Sequence, residues 1–186
     1  MPNLLSIIVP AYNEERSIEA IISQINNLPI EKEIIVVNDC SSDRTAEILR
    51  SFSLNNLKVI HHVSNRGKSA AVHTGIENAI GEFVIIQDAN SGYGINDYAK
   101  LLEATKNSGA NIVLGSRFTK MSLGNILLSI VYGVKLSDWR SRCQLIHRES
   151  LLKLLPELKN GNFAFEILTK AIRKKMRVIE VPIFHG

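Results

Sequence analysis

Asp88 and Asn90 stand two residues apart just beyond the apolar run Phe83–Ile86, in the segment FVIIQDAN. A carboxylate and an amide oxygen at that spacing can ligate one divalent cation, Mg2+ or Mn2+, although the amide brings no charge. Polar groups follow three other apolar runs in the same way. Pro10, Tyr12 and Glu14 come after Leu4–Val9, Asp39 after Ile34–Val37, and Arg66, Gly67 and Lys68 after Leu57–His61. Carboxylates accept hydrogen bonds from nucleobase N–H groups and ribose hydroxyls, while Arg66 and Lys68 suit phosphate oxygens. Taken singly, each residue has a plainer use: Asp39 and Asn13 as helix caps, Gly67 as a turn, Lys68 as a solvated charge. Taken together, they describe a site for a nucleotide with its phosphates.

These residues converge only if the apolar runs lie side by side. Between the runs, apolar residues recur at helical spacing: Ile18, Ile21, Ile22, Ile25 and Leu28, then Thr45–Phe52, then Val72, Ile76 and Ala79 within Lys68–Ile80. A helix around Tyr98–Thr105 and a strand at Ile112–Leu114 continue the alternation. Such βαβα order predicts an α/β fold with a mostly parallel, Rossmann-like sheet, helices on both faces, and ligands at the C-terminal strand ends. Burial on both faces accounts for strands that are solidly apolar and not alternating. Beyond Arg117 the pattern predicts a helix over Leu123–Val134, a strand at 142–148, and a short helix at Glu149–Leu155 ended by Pro156. An amphipathic helix over Phe165–Lys175 and a strand at Val178–Val181 complete it. With no repeat or linker, residues 1–186 read as a single domain, with a nucleotide-binding half over 1–115 and an acceptor-side half over 116–186.

Composition narrows the class. A chain of 186 residues, 45% hydrophobic and 22% charged, can bury a proper core. No apolar run reaches the roughly 18–20 residues that cross a bilayer. No basic, then apolar, leader precedes the first strand, and two cysteines do not make a disulfide framework, so a cytoplasmic protein is expected. Residues 1–115 carry a net charge of −4 and residues 116–186 a net +8. The basic part is either a solvated face or a surface for an anionic partner, such as a phosphate-bearing substrate or an acidic membrane. No nucleic-acid-binding signature is present.

Other nucleotide devices fit less well. Pro10-Ala11-Tyr12-Asn13 follows the first strand where a dinucleotide fold needs glycines. A P-loop NTPase is the alternative from another class, through Gly67-Lys68-Ser69, but His62 occupies the place of that motif's first glycine.

The segments VPAYNEERSI, VVNDCSSDRT, NRGKSAAVHTGI, GEFVIIQDAN, GSRF and FAFEILTKAIRKKMRVIEVPI follow one another as in the family 2 glycosyltransferases. Within that family the chain resembles the polyprenyl-phosphate sugar transferases of the dolichyl-phosphate mannose synthase type. The resemblance covers nearly the whole chain. It implies a GT-A fold and inverting transfer of a hexose from a UDP- or GDP-sugar to an acceptor, a polyprenyl phosphate. It further implies that Pro10, Tyr12, Glu14 and Asp39 line the nucleoside pocket, with Gly67 and Lys68 in the loop beside the base and ribose. Asp88 matches the first acid of the metal-binding Asp-x-Asp motif, with Asn90 in the second place. Arg117 matches an arginine that meets the acceptor phosphate, and Glu166 belongs to a motif near the sugar. A lipid phosphate is already an anionic nucleophile; a hydroxyl acceptor would need a base, for which Asp88 and Asp138 are the candidates.

Four departures are visible. Asn90 removes one charge, worth on the order of 4 kcal/mol at about 4 Å and an effective dielectric near 20, which predicts weak, donor-dependent metal binding. Between Arg117 and Asp138 the chain is short, with Lys120 and Lys135 its only cations. Arg142 replaces a glycine in Ser141-Arg142-Cys143, and it or Arg140 can supply the acceptor-side cation otherwise missing. The sequence ends at Phe184-His185-Gly186, before a further family arginine. These departures keep open a second reading, a nucleotide-sugar-binding protein of the same fold with weak or no turnover. Leu123–Val134 is either a buried or semi-buried helix or one lying in a membrane interface, and Trp139 either an interfacial anchor or core. The interfacial reading makes the protein peripheral on the inner membrane face.

Overall fold

The computed structural model describes residues 4–91, 94–117, 123–158 and 163–183. Phe118, Lys120 and Phe184–Gly186 lie outside the described residues. The chain divides into two compact units, Met1–Ile95 and Asn96–Gly186.

The first unit is an open parallel sheet in the order β3-β2-β1-β4, made of β1 (Leu5–Ala11), β2 (Lys32–Asn38), β3 (Leu57–His61) and β4 (Phe83–Ile86). Its central register sets Ile7 beside Ile34 and Val9 beside Val36, all fully buried. Helices α1 (Ile18–Asn26), α2 (Thr45–Ser51) and α3 (Lys68–Asn78) are the crossovers. Ile18, Ile21, Ile22 and Ile25 form the buried stripe of α1, each removing from water a side chain worth about 1.5–3 kcal/mol. Leu28, expected on that stripe, falls in the turn after the helix. Gly75 lets α3 sit directly on β1, because a Cβ there would collide with the Ile8 side chain.

The second unit contains α4 (Tyr98–Ser108), β5 (Ile112–Ser116), α5 (Leu123–Tyr132), β6 (Gln144–His147), α6 (Arg148–Leu154), α7 (Phe163–Arg173) and β7 (Val178–Pro182). Here β5 pairs antiparallel with β6 and parallel with β7. Pro156 sits in a 3-10 turn, Leu155–Glu157, that follows α6. The segment at 142–148 is strand only over Gln144–His147, and its last residue, Arg148, begins α6.

Helix α5 is semi-buried, one of the forms expected for this segment: none of its residues is fully buried, and Leu123, Leu127, Ile130 and Val131 are 86%, 63%, 73% and 67% exposed. The opposite side, Leu128 and Tyr132, packs on a cluster of Leu114, Leu136, Trp139 and Leu168. Trp139 is core, completely buried, with its indole N–H donating to the Ser129 hydroxyl at 3.2 Å. An interfacial anchor is therefore excluded for this residue. Among the described residues, no helix is long and apolar enough to cross a membrane.

Candidate functional site

In the first unit the parallel strands bring their following loops to one edge of the sheet. Asp39 comes directly after β2 and is buried, 2% exposed. Its Oδ1 accepts from the backbone N–H of Arg66 at 2.9 Å and pairs with His62 Nδ1 at 2.6 Å, while Oδ2 accepts from the N–H of Gly67 at 2.7 Å. Burial opposes ionisation of this carboxyl, but the Arg66 N–H, His62 and the Gly67 N–H outweigh it and hold the group below its ordinary value. Asp39 thus clasps the loop that carries Arg66, Gly67 and Lys68. Gly67 caps α3 at φ +84°, a left-handed value that favours glycine, and open space surrounds the place of its missing Cβ.

This clasp disposes of the P-loop alternative. Two of the amides that such a cradle would aim at phosphate, those of Arg66 and Gly67, donate to Asp39.

Glu14 and Asn90 meet at the same edge. Glu14 takes the Ser17 hydroxyl on Oε2 at 2.5 Å and the Asn90 amide nitrogen on Oε1 at 3.3 Å, which turns the amide oxygen of Asn90 away from Glu14. The Glu14 N–H donates to the Thr45 hydroxyl at 2.8 Å, tying the loop after β1 to the start of α2. Tyr12 is 49% exposed, whereas Pro10 is buried within β1. Lys68, the first residue of α3, forms an ion pair through Nζ with Asp88 Oδ1.

The Asp88 carboxylate thus already holds a positive charge. Asp88 with the oxygen of Asn90 fits Mg2+ or Mn2+ as a two-residue set. Among the described residues no three His, Cys, Asp or Glu side chains converge to hold a metal.

The second unit carries its own cluster. Arg117, after β5, makes a two-pronged ion pair with Asp138, Nε to Oδ2 at 2.7 Å and Nη2 to Oδ1 at 3.1 Å. Its N–H reaches the same carboxylate at 3.3 Å. Asp138 is 1% exposed, and the N–H groups of Ser137 and Asp138 donate to Glu180 of β7 at 2.9–3.0 Å. Arg140 and Arg142 are exposed beside it in sequence, and Glu166, in the first turn of α7, pairs with Lys170 at 3.7 Å.

His62 and Glu180 escaped the sequence reading. A lone acid inside the apolar strand VIEVP was the available signal for Glu180. From the sequence, His62 reads only as an obstruction to phosphate.

Polar groups gathered at the C-terminal ends of an open parallel sheet define an α/β domain of the nucleotide-binding kind. The chain belongs to glycosyl transferase family 2, whose sequence profile matches residues 6–126. It is 30% identical to a dolichol-phosphate mannosyltransferase of Pyrococcus furiosus, across 98% of this chain and 56% of that one. It is also 30% identical to a dolichyl-phosphate beta-glucosyltransferase of Trichomonas vaginalis, across 96% of this chain and 64% of that one. The chain therefore spans less than two thirds of either relative. The expected GT-A fold is shared with a mannosyltransferase of Pyrobaculum calidifontis solved with GDP-Man and Mn2+, at a TM-score of 0.76 and 22% identity. That likeness covers 96% of this chain and 54% of the other.

Proposed function

We propose that this chain is the catalytic domain of an inverting glycosyltransferase that moves a hexose from a UDP- or GDP-sugar to a polyprenyl phosphate. Residues 1–115 serve the donor and residues 116–186 the acceptor. The observation that carries the choice of acceptor is that both candidate bases are already engaged by cations, Asp88 by Lys68 and Asp138 by Arg117. A carboxylate paired in this way has a cation, not an acceptor hydroxyl, against its oxygen. A lipid phosphate needs no base, because its oxygen is anionic before it attacks.

In this reading Tyr12, Glu14 and the loop held by Asp39 bind the nucleoside, and Arg66 and Lys68 meet the diphosphate. Pro10 shapes the pocket from within β1, and Glu166 faces the sugar. Arg117 meets the acceptor phosphate, and Arg140 and Arg142 add positive charge. A divalent cation at Asp88 and Asn90, bound weakly and only with the donor, supplies neutralisation of the leaving diphosphate. The exposed apolar side of α5 and the basic second half hold the protein peripherally against an anionic membrane face, where the acceptor lies.

The second reading, a nucleotide-sugar-binding protein with little turnover, is favoured by Asn90, whose amide is turned to Glu14 and brings no charge. Incubation with labelled UDP- and GDP-hexoses, Mn2+ and a short polyprenyl phosphate separates the two. Labelled lipid is the expected product, and donor binding without any product in the complete protein leaves the binder.

A further inference from the structure

We propose that Lys68 is a tethered counter-ion that closes Asp88 to divalent cations until a diphosphate draws the ammonium away. The proposal deepens the donor-binding reading above and rests on it. Lys68 and Asp88 lie 20 residues apart, at the start of α3 and just past the end of β4, and their charged atoms are in direct contact. The two ends of the pair differ in surroundings. The Lys68 side chain is 60% exposed and the Asp88 side chain 15%. Asp88 is therefore the fixed member, and Lys68, on four rotatable carbons, is the movable one.

Charge decides the order of events. With Lys68 in place the charge of Asp88 is matched, leaving that of Glu14 beside Asn90, and an approaching divalent ion meets an ammonium on Asp88. A nucleoside diphosphate brings at least two negative charges and acceptor oxygens for Lys68, which stands exposed at the first position of α3. Once Lys68 turns to phosphate, Asp88 and the diphosphate together offer the cation a negatively charged oxygen set. An ion pair this exposed is weak, so the exchange is cheap in both directions. Donor and cation then bind with positive coupling, each raising the other's affinity by the same factor.

The test is Mn2+ binding followed by electron paramagnetic resonance of the free ion, with and without UDP or GDP. It uses the parent, Lys68→Met, Lys68→Arg and Asp88→Asn. Position 68 is exposed at a helix start, and circular dichroism checks that each variant is folded. Lys68→Met should bind Mn2+ without nucleotide about two- to fivefold more tightly than the parent, the upper part of the range set by losing one exposed ion pair. Lys68→Arg should stay closed, and Asp88→Asn should leave the free Mn2+ signal as it is without protein, with or without nucleotide. Nucleotide should promote Mn2+ binding strongly in the parent and much less in Lys68→Met. The proposal is overturned if Lys68→Met binds Mn2+ no better than the parent, or if Asp88→Asn binds as the parent does. If no protein binds UDP or GDP but Lys68→Met still gains Mn2+ affinity, the donor reading fails while the blocking role of Lys68 survives.

Discussion

His62 lies between two elements, its Nδ1 2.6 Å from Asp39 Oδ1 and its Nε2 3.0 Å from the Thr74 hydroxyl of α3. Both the His62 and Asp39 side chains are almost wholly buried, at 5% and 3% exposure. The imidazole thus ties the carboxylate that organises the Arg66–Gly67 loop to the helix that the loop begins.

The first prediction follows from that tie. Asp39→Ala removes the acceptor of two backbone N–H groups and of His62, and should destabilise the fold by about 1–3 kcal/mol, the cost of leaving buried groups unpaired. UDP or GDP affinity should fall as the loop loosens. The effect depends on pH with a definite sign. The Asp39 carboxyl is held below its ordinary value of 3.8, so its contribution is complete above that value and disappears as pH falls through the lower folded one. Urea titrations of parent and Asp39→Ala should therefore show a stability gap that narrows as the pH is lowered from about 5 to about 2. A gap independent of pH would mean that the charge of Asp39 is not what holds the loop.

Arg117→Ala should destabilise the protein by on the order of 3 kcal/mol, since it leaves the buried Asp138 carboxylate without its cation. Replacing Asp138 by Asn in the same protein should restore part of the loss, because the uncompensated charge goes with it. A double-mutant cycle in thermal unfolding reads both numbers. Additive losses would show that the pair is not coupled.

Attachment to anionic vesicles should depend on the outward face of α5. Leu127→Asp with Ile130→Asp should abolish cosedimentation yet leave the melting temperature nearly unchanged, because both side chains already meet solvent. Binding by the parent should weaken with salt, by on the order of 1 kcal/mol for each cation screened from the surface. Unaltered vesicle binding in the double variant would remove α5 from the membrane contact.

Gly75→Ala should cost about 1–3 kcal/mol, because the added methyl is forced into the Ile8 side chain where α3 crosses β1. Chemical denaturation measures it. The usual gain from replacing a helical glycine by alanine, about 1 kcal/mol, would appear instead if helix and strand could separate freely.

The alternation of strands and helices was legible in the chain because it is written locally. Ile34–Val37 is apolar without a break because a parallel strand is covered on both faces, and Ile18, Ile21, Ile22 and Ile25 repeat at three and four because one helix stripe faces the sheet. The same order of strands placed Asp39, Lys68 and Asp88 at one edge in advance. What each of them does there was decided by partners distant in sequence. Asp39 finds His62 at a separation of 23 residues, Lys68 finds Asp88 at 20, and Ser137 finds Glu180 at 43. No spacing rule links such positions, since only the packed sheet and its crossovers bring them within hydrogen-bond reach. Helix α5 makes the same point in apolar form. Its composition announces that it avoids water, but which side is covered depends on where Leu114, Leu136, Trp139 and Leu168 gather, and that is a property of the folded second unit. Periodicity records the burial a segment requires, whereas pairing energies arise between segments and exist only once the chain has folded.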